Sequence, residues 1–362
     1  MRRPEGPDVR HDGGPWREVY ALRLERECAR VSPLYEALAR AVAADPDLLA
    51  LGARARPGQP APNMLFAAVH FLLLGAAHGA LLARFYPDLT ERPRPPEAAA
   101  PAFRAFCLRH EKTIAQILKT RVVSTNEVLR AACLMPAFAE AARRGGQPLH
   151  LIEVGASAGL LLNWDRYTYD YGDGRVIGAP EAALTLVCEP RGAHAPPLPE
   201  RRLPRVASRL GIDPYPLDAA DSQDAAWLRA LIWPEQTGRA QRLEQALAVA
   251  RAEPPPIAAG DALERLPPAL AALPDDGTPC LFHAFTLNQF SAPARSAFDE
   301  LLRSAGRRRP LWRVGLEWGK GPAPELSLTE YRDAEVRETM LARCEAHGAW
   351  IEWLADGSDR GA

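Results

Sequence analysis

The sequence predicts an α/β protein in which an all-α domain precedes a mostly parallel sheet. Residues 16–146 carry apolar side chains three and four positions apart, the period of amphipathic helices, and contain almost nothing that resembles a strand. From Leu149 onwards, short apolar runs alternate with helical stretches, which is the pattern of βαβ units. A length of 362 residues is enough for two domains of ordinary size.

Composition excludes several classes of protein. Hydrophobic residues make up 47% of the chain and charged residues 25%, which is typical of a globular protein and not of a disordered or fibrous one. A net charge of -1 gives no electrostatic reason to expect a nucleic-acid partner. The six cysteines include no C-x-x-C pair, so we expect them to pack as small apolar side chains in a reducing cytoplasm. Residues 1–15 lack the apolar stretch of a secretion signal and are predicted to form a disordered lead.

Five helices are predicted in the N-terminal domain, and segments that contain Pro or Gly separate the third from its neighbours. They are Trp16–Val31, Pro33–Leu49, Asn63–Phe85, Pro101–Leu118 and Thr125–Arg144. The third includes the longest apolar stretch and reaches the roughly 20 residues that a bilayer requires. It contains His70, His78 and Arg84, and Ala and Gly, rather than Leu, dominate its second half, so we predict a buried helix and no membrane partner. The two histidines have no third ligand in register, so no metal site is expected.

The C-terminal domain, residues 147–356, opens with a strand at Leu149–Val154, a tight turn and a helix. Further strands are predicted at Leu184–Cys188, Pro256–Ala259, Cys280–Phe285, Arg313–Glu317 and Trp350–Leu354, and helices at Asp224–Ile232, Ala240–Ala252, Ala292–Ser304 and Ala334–Ala346. Gly, Pro and polar residues around 167–204 predict an inserted hairpin and loop. Alternating strands and helices with right-handed crossovers predict a mostly parallel sheet. Such sheets bind their ligands at the carboxyl ends of the strands, so a ligand is expected there.

The most informative segment is Glu153–Gly159, at the first strand-to-helix turn. An acidic residue followed by two glycines four positions apart matches the turn of class I S-adenosylmethionine-dependent methyltransferases, in which the backbone approaches the cofactor. This interpretation gives Glu153, Gly155, Ser157 and Gly159 a cofactor-binding role. Ser157 stands where that family often has a middle glycine.

Three other interpretations of the turn remain open. Gly155–Gly159 also satisfies the G-x-S-x-G pattern of a hydrolase nucleophile elbow, with Ser157 as nucleophile, His283 or His347 as base and Asp261 to orient the base. The helical character of the preceding residues argues against it, since that fold needs strands upstream. A dinucleotide site is weaker, because G-x-G-x-x-G is absent. Finally, small residues in the turn can simply permit close packing.

Two aspartates further along the chain favour the methyltransferase interpretation. Asp213 has the form of the acid that ends the second strand of that fold and binds the ribose hydroxyls. Asp261 follows the predicted strand Pro256–Ala259, where an aspartate contacts the adenine amino group. Asp213 qualifies only if the insertion around 167–204 is real, and Glu189 is the alternative ribose ligand.

Polar side chains near the turn are candidates for contact with an acceptor. Arg166 and Tyr169 follow the turn closely and could orient a polar acceptor or supply a base, or they could anchor a loop. His283 lies within the predicted strand Cys280–Phe285, and the end of this strand borders the expected position of the methyl group. A neutral imidazole can accept a proton near pH 7, although a buried structural histidine is an equal alternative. Glu317 and Trp318 could line the acceptor pocket.

The chain from Tyr20 to Leu354 resembles a bacterial family of uncharacterised proteins. The segments that carry the resemblance are Thr125–Glu127, Leu151–Gly159, Asp165–Tyr167, Tyr169–Gly172, Gly211–Asp213, Trp233–Gln236 and Gly260–Ala262. The resemblance implies a helical N-terminal region joined to a Rossmann-like, methyltransferase-type domain. It also implies that Asn126 and Glu127 face the glycine turn. It supplies no substrate.

From these observations we expect S-adenosylmethionine-dependent methyl transfer to a small-molecule acceptor. A non-catalytic binding or scaffold protein that kept the cofactor fold is the alternative. A serine hydrolase that uses Ser157 is the third possibility. The sequence leaves the acceptor and the oligomeric state open.

Overall fold

The structure is a computed structural model that describes residues 25–29, 31–75, 77–124, 126–178, 181–200 and 202–354. The predicted lead, most of the first predicted helix and Thr125 lie outside these residues. The chain divides into two compact units. The helical unit comprises the described residues before Asn126 together with Ser222–Gln241, and the sheet unit comprises Asn126–Asp221 and the described residues from Arg242 onwards.

The elements are numbered in chain order. The helices are α1 (Glu25–Cys28), α2 (Pro33–Ala44), α3 (Pro46–Gly52), α4 (Ala61–Leu74), α5 (Ala100–Arg109), α6 (Glu111–Thr120), α7 (Arg130–Gly145), α8 (Ser222–Ala230), α9 (Thr237–Ala252), α10 (Ala262–Ala271) and α11 (Ala292–Arg308). The strands are β1 (Leu149–Val154), β2 (Thr168–Asp170), β3 (Val176–Gly178), β4 (Thr185–Val187), β5 (Glu189–Arg191), β6 (Val206–Asp213), β7 (Ile257–Ala259), β8 (Thr278–Ala284), β9 (Leu311–Trp318), β10 (Pro324–Arg332), β11 (Glu335–Cys344) and β12 (Trp350–Trp353). Short 3-10 helices occupy Leu81–Phe85, Pro96–Ala98, Leu160–Arg166 and Leu287–Gln289.

The helical unit is built around the buried helix α4. This helix ends at Leu74 and does not continue to Phe85 as predicted, because Gly75 leaves the helical region with φ -114° and ψ -113°. Helix α8 belongs to the same unit although it comes much later in the chain: the Trp227 indole donates to the Val122 carbonyl across 2.8 Å. No helix in the described part of the chain is long and apolar enough to cross a membrane.

The sheet unit contains a nine-stranded sheet in the order β5-β12-β11-β10-β9-β8-β1-β6-β7. The five neighbouring strands β9, β8, β1, β6 and β7 are all parallel, whereas β10, β11 and β12 continue the sheet with antiparallel pairings. The prediction of an α/β protein with a large, mostly parallel sheet is therefore confirmed. A separate three-stranded sheet, in the order β3-β2-β4, lies where an inserted hairpin was predicted.

The predicted helix Ala334–Ala346 is wrong, because this segment forms strand β11. Asp333 adopts a positive φ of 55° and allows a two-residue turn between paired Arg332 and Glu335. The turn aligns β11 with β10, where Thr339 and Leu341 are buried. Strand pairing thus outweighs the helical periodicity of the local sequence.

The large sheet is covered on both faces. On one face, Phe138 of α7 packs against Trp164 and Phe282, with ring centroids 4.8 and 5.1 Å apart. On the other face, Ile152 and Phe298 belong to a core cluster formed with α10 and α11. Side chains alternate between the faces of a strand, so Glu153 shares the α7 face with its strand partner Phe282. Both faces of β1 are therefore buried up to the turn that follows it.

Candidate functional site

The candidate site lies at the carboxyl ends of β1, β6 and β8. The connections from β1 lead in one direction to β6 and β7, and later chain segments add β8 and β9 on the other side of β1. Such a reversal of strand order opens a crevice beyond the carboxyl ends, where ligands of α/β proteins bind. The Glu153–Gly159 turn occupies this position.

The Glu153 carboxyl is buried without a complete set of hydrogen bonds. The residue is only 2% exposed, and its Oε2 atom has no hydrogen-bond partner in the described part of the chain. Burial and, secondarily, the negative charge of Asp213 raise the pKa of Glu153 well above its ordinary value. An unpaired buried polar atom is costly, and in a native protein it points to a ligand, water or functional role.

The two glycines of the turn are explained by packing within the protein. Gly155 has φ +81°, and a Cβ atom there would lie 2.3 Å from Thr286 Oγ1. Gly159 has φ +69°, and a Cβ atom there would lie 2.5 Å from a side-chain carbon of Pro255. The glycine spacing by itself is therefore no evidence for a cofactor, and Glu153 is the more informative member of the motif.

Asp213 lies directly beside the turn. Its Oδ2 atom accepts the backbone N–H of Ser157 at 2.8 Å, and its Oδ1 atom accepts the backbone N–H of Tyr215 at 2.8 Å. Glu189, the alternative ribose ligand, lies on β5 at the opposite edge of the sheet, where it is exposed and paired with Arg191. The structure thus brings Asp213, and not Glu189, to the turn.

Three further predicted residues surround the same strand ends. Asp261 follows β7 and caps α10 by accepting the backbone N–H of Leu263 at 2.7 Å. The Asn126 side-chain amide donates to the Ala156 carbonyl at 3.4 Å, so Asn126 contacts the turn. Glu127 is buried beside it.

The contacts of Arg166 and Tyr169 favour the loop-anchor role. Arg166 forms a half-exposed ion pair with Glu253 at 2.6 Å. The Tyr169 hydroxyl donates to the Trp164 carbonyl at 2.5 Å. Burial, and secondarily the neighbouring Tyr167, raise the pKa of Tyr169 well above its ordinary value, so this phenol stays protonated.

His283 is held by a carboxylate that follows it on the next strand. Its Nδ1 atom lies 2.8 Å from Glu317 Oε1, the same oxygen that accepts the backbone N–H groups of Thr286 and Leu287 at 2.8 and 2.9 Å. Burial acts to raise the pKa of Glu317, but the hydrogen bonds from His283 and the backbone outweigh it and hold this pKa below its ordinary value. His283 Nε2 has no partner among the described residues.

The predicted hydrolase triad is not assembled. His283 is bonded to Glu317 and not to Asp261, which lies on the other side of β1 and β6. His347 is paired with Glu345 in the turn between β11 and β12. The carboxylate assigned to the base therefore contacts neither histidine.

The backbone at this site is strained in a way that the sequence does not predict. Among the described non-glycine residues, positive φ angles occur at Ser157, Phe285 and Asp333, and the first two follow the adjacent strands β1 and β8. The Arg130 guanidinium lies 4.2 Å from the centroid of the Phe285 ring and covers it. Strained residues of this kind cluster at functional sites. The sequence carries no signal for them, because Ser and Phe are not residues that favour positive φ.

Comparison with known proteins assigns the chain to a family. The family described as uncharacterized protein conserved in bacteria (DUF2332) matches residues 17–353. The chain belongs to this family. The resemblance to a bacterial family of uncharacterised proteins, which the sequence motifs indicated, is thereby confirmed. No curated protein and no solved structure matches the chain.

Membership in DUF2332 leaves the activity to be argued from the site. In this DUF2332 chain, Glu153 and Asp213 come from adjacent strands and meet at one turn, while Asp261 lies one strand further. The described residues include no group of three or more His, Cys, Asp or Glu side chains that could hold a metal ion. The site is thus a set of carboxyl groups around a backbone turn.

Proposed function

We propose that this protein binds S-adenosylmethionine at the Glu153–Gly159 turn and transfers its methyl group to a small-molecule acceptor. The observation that carries the proposal is the buried Glu153 carboxyl, whose Oε2 atom lacks a partner within the described structure. The cationic ammonium end of the cofactor is a donor that would complete its hydrogen bonds. It would also favour the ionised carboxyl.

The strand order supports the same proposal. Numbered by their appearance in the chain, the five parallel strands β1, β6, β7, β8 and β9 are first to fifth, and they lie side by side in the order 3-2-1-4-5. This is the order of doubly wound, Rossmann-like sheets, which bind nucleotide cofactors at the reversal point next to the first strand. The turn after β1 is at that point.

The residues fit the chemical groups of the cofactor. Each Asp213 oxygen accepts one backbone N–H, and a carboxylate oxygen can accept more than one hydrogen bond, so Asp213 can still receive the ribose hydroxyls. Asp261, one strand further, is suitably exposed to meet the adenine amino group. Asn126 would hold the turn in place through Ala156.

The chemistry requires little of the protein beyond alignment. When bound, S-adenosylmethionine supplies an electrophilic methyl group on a sulfonium centre. The chain would bind and orient the reactants and exclude water. This contribution alone can lower the activation barrier by about 7–11 kcal/mol. His283 would accept a proton from the acceptor.

Thermal unfolding of the full chain with increasing S-adenosylhomocysteine tests the proposal. Because a ligand that binds only the folded state stabilises it, the Tm should rise with ligand concentration and continue to rise above the Kd. Adenosine and NAD serve as comparison ligands. Glu189→Gln serves as a control variant, because it removes one carboxylate charge at the edge of the sheet opposite the turn. A Tm that does not respond to S-adenosylhomocysteine would favour the scaffold alternative.

A further inference from the structure

A cavity of about 340 Å³ opens on the sheet unit beside β8, β9, β10 and β11. Its volume lies within the range of small-molecule sites. The lining combines charged, polar and apolar side chains. These include His283, Arg313, Glu317, Trp318, Glu325 and Met340.

His283 lines this cavity and carries a buried acceptor atom without a partner among the described residues. Because Glu317 Oε1 accepts two backbone N–H groups, it is an acceptor for His283 Nδ1 as well, and the Nδ1 atom carries the proton. The Nε2 atom of the neutral ring is then an acceptor, and it has no partner among the described residues although His283 is 98% buried. A Cβ atom on Gly315, another lining residue, would lie 3.4 Å from Nε2, so glycine keeps the space beside it open.

The charge of the lining is negative once its ion pairs are counted. Arg313 is paired with Asp299 at 2.8 Å and with Glu338 at 3.5 Å. Glu317 keeps an unpartnered buried Oε2 atom, and Glu325 forms no ion pair within the described residues. Among the described residues that line it, the cavity thus offers two carboxylates and an imidazole acceptor, and the one Lys or Arg side chain, Arg313, is already paired.

We propose that this cavity binds a small primary or secondary amine, with its ammonium group donating to His283 Nε2 and attracted by the negative charges of Glu317 and Glu325. A cationic donor matches the unsatisfied imidazole nitrogen and the negative lining. Trp318 and Met340 would contact the carbon skeleton of the amine. Its role as the methyl acceptor rests on the proposed function.

The transfer balances with these residues. The bound ammonium group gives one proton to His283 Nε2, and Glu317 stabilises the resulting imidazolium through Nδ1. The freed amine lone pair forms the N–C bond to the methyl carbon while the C–S bond breaks, and the electron pair of that bond stays on sulfur as a thioether. The product is an N-methylated ammonium ion, and His283 releases its proton to solvent.

Calorimetric titrations of the full chain with matched probes test the inference. One series is phenethylamine, 2-phenylethanol and phenylacetate, and the second is butylamine, butanol and butyrate. We expect the amines to bind about tenfold or more tightly than the alcohol and the acid of the same skeleton. Equal binding of the three members, preference for the acids, or no binding of either amine would overturn the inference.

Variants locate the site and separate the two proposals. Glu317→Gln and Gly315→Ala should each weaken amine binding about tenfold, whereas Glu335→Gln, an exposed change on β11 outside the cavity, should leave it unchanged. Unchanged amine affinity in both cavity variants would overturn the placement of the amine in this cavity. S-adenosylhomocysteine is titrated in parallel. Cofactor binding without amine binding defeats this inference alone, and amine binding without cofactor binding removes the acceptor role and the proposed methyl transfer.

Discussion

The backbone N–H of Ser157 donates to Asp213 Oδ2 across 2.8 Å and joins the turn after β1 to the end of β6. The bond supports a Ser157 backbone with φ +53°, a conformation that serine rarely adopts. Asp213 therefore shapes the turn in addition to its proposed contact with the ribose. A substitution that removes its oxygens entirely would disturb both.

Asp213→Asn is the sharper variant because it keeps an acceptor for one of the two backbone N–H groups and removes the charge. We expect the affinity for S-adenosylhomocysteine to fall about tenfold to a hundredfold, as is usual for loss of a charged hydrogen-bond partner. Asp261→Ser should weaken binding by a similar factor, and it keeps a side-chain cap on α10. Calorimetric titration measures both.

The control for these variants is Glu189→Gln, an exposed carboxyl at the opposite edge of the sheet. The affinity of Glu189→Gln for S-adenosylhomocysteine should equal that of the unaltered protein. If Glu189→Gln weakens binding and Asp213→Asn does not, the assignment of Asp213 to the ribose is wrong.

The raised pKa of Glu153 predicts a pH dependence of stability. In the folded protein without ligand, Glu153 keeps its proton at pH values where the unfolded chain, with an ordinary pKa of about 4.3, has lost it. Unfolding therefore releases a proton, and the contribution of Glu153 to the free energy of unfolding falls as pH rises from the ordinary pKa to the raised one. The slope is at most about 1.4 kcal/mol per pH unit.

Urea unfolding between pH 5 and pH 8 measures this effect. The free energy of unfolding of Glu153→Gln should exceed that of the unaltered protein by an amount that grows with pH, because glutamine cannot ionise. If the free energies of unfolding of the two proteins differ by a constant amount across this pH range, Glu153 has an ordinary pKa.

Gly155→Ala should destabilise the protein even without cofactor. Alanine at φ +81° is strained, and its Cβ atom would overlap Thr286 Oγ1. We expect a loss of about 1–3 kcal/mol in the free energy of unfolding. Thr286→Ala removes the two closest atoms, so the double variant should recover part of the loss in a double-mutant cycle. If the changes in the free energy of unfolding of the two single variants simply add in the double variant, Gly155 does not have this packing role.

Ser157→Gly separates the cofactor site from the hydrolase. Glycine accepts the positive φ of this position, so the fold should be retained. The affinity for S-adenosylhomocysteine should change by no more than about threefold, because the backbone N–H that binds Asp213 remains. A fluorophosphonate probe should label neither protein. Labelling that is lost on this substitution would instead support Ser157 as a nucleophile.

Sequence patterns predicted the parts of the fold that depend on local periodicity. The Leu149–Val154 strand is formed as predicted, and Asp213 ends β6 while Asp261 follows the neighbouring strand β7, as the motif interpretation required. The boundary of α4 was missed because Gly75 ends that helix within an apolar stretch. Strand β11 was missed because its pairing with β10 depends on residues outside its own sequence.

The arrangement of hydrogen-bond acceptors at the candidate site could be predicted only in part. His283 and Glu317 were both candidates, but their hydrogen bond depends on the parallel register of β8 with β9. Pairing between distant segments leaves no trace in one sequence. The unpartnered Oε2 atom of Glu153 likewise follows from burial by α7 and the strands around it, which motif spacing does not encode.

A calorimetric titration of the full chain and of Glu153→Gln with S-adenosylhomocysteine tests directly whether Glu153 binds the cofactor. We expect a one-to-one complex, with affinity about tenfold to a hundredfold weaker in the variant, because the amide cannot neutralise the ammonium end of the ligand. Absence of binding, or equal affinity in the two folded proteins, would contradict a cofactor site at Glu153.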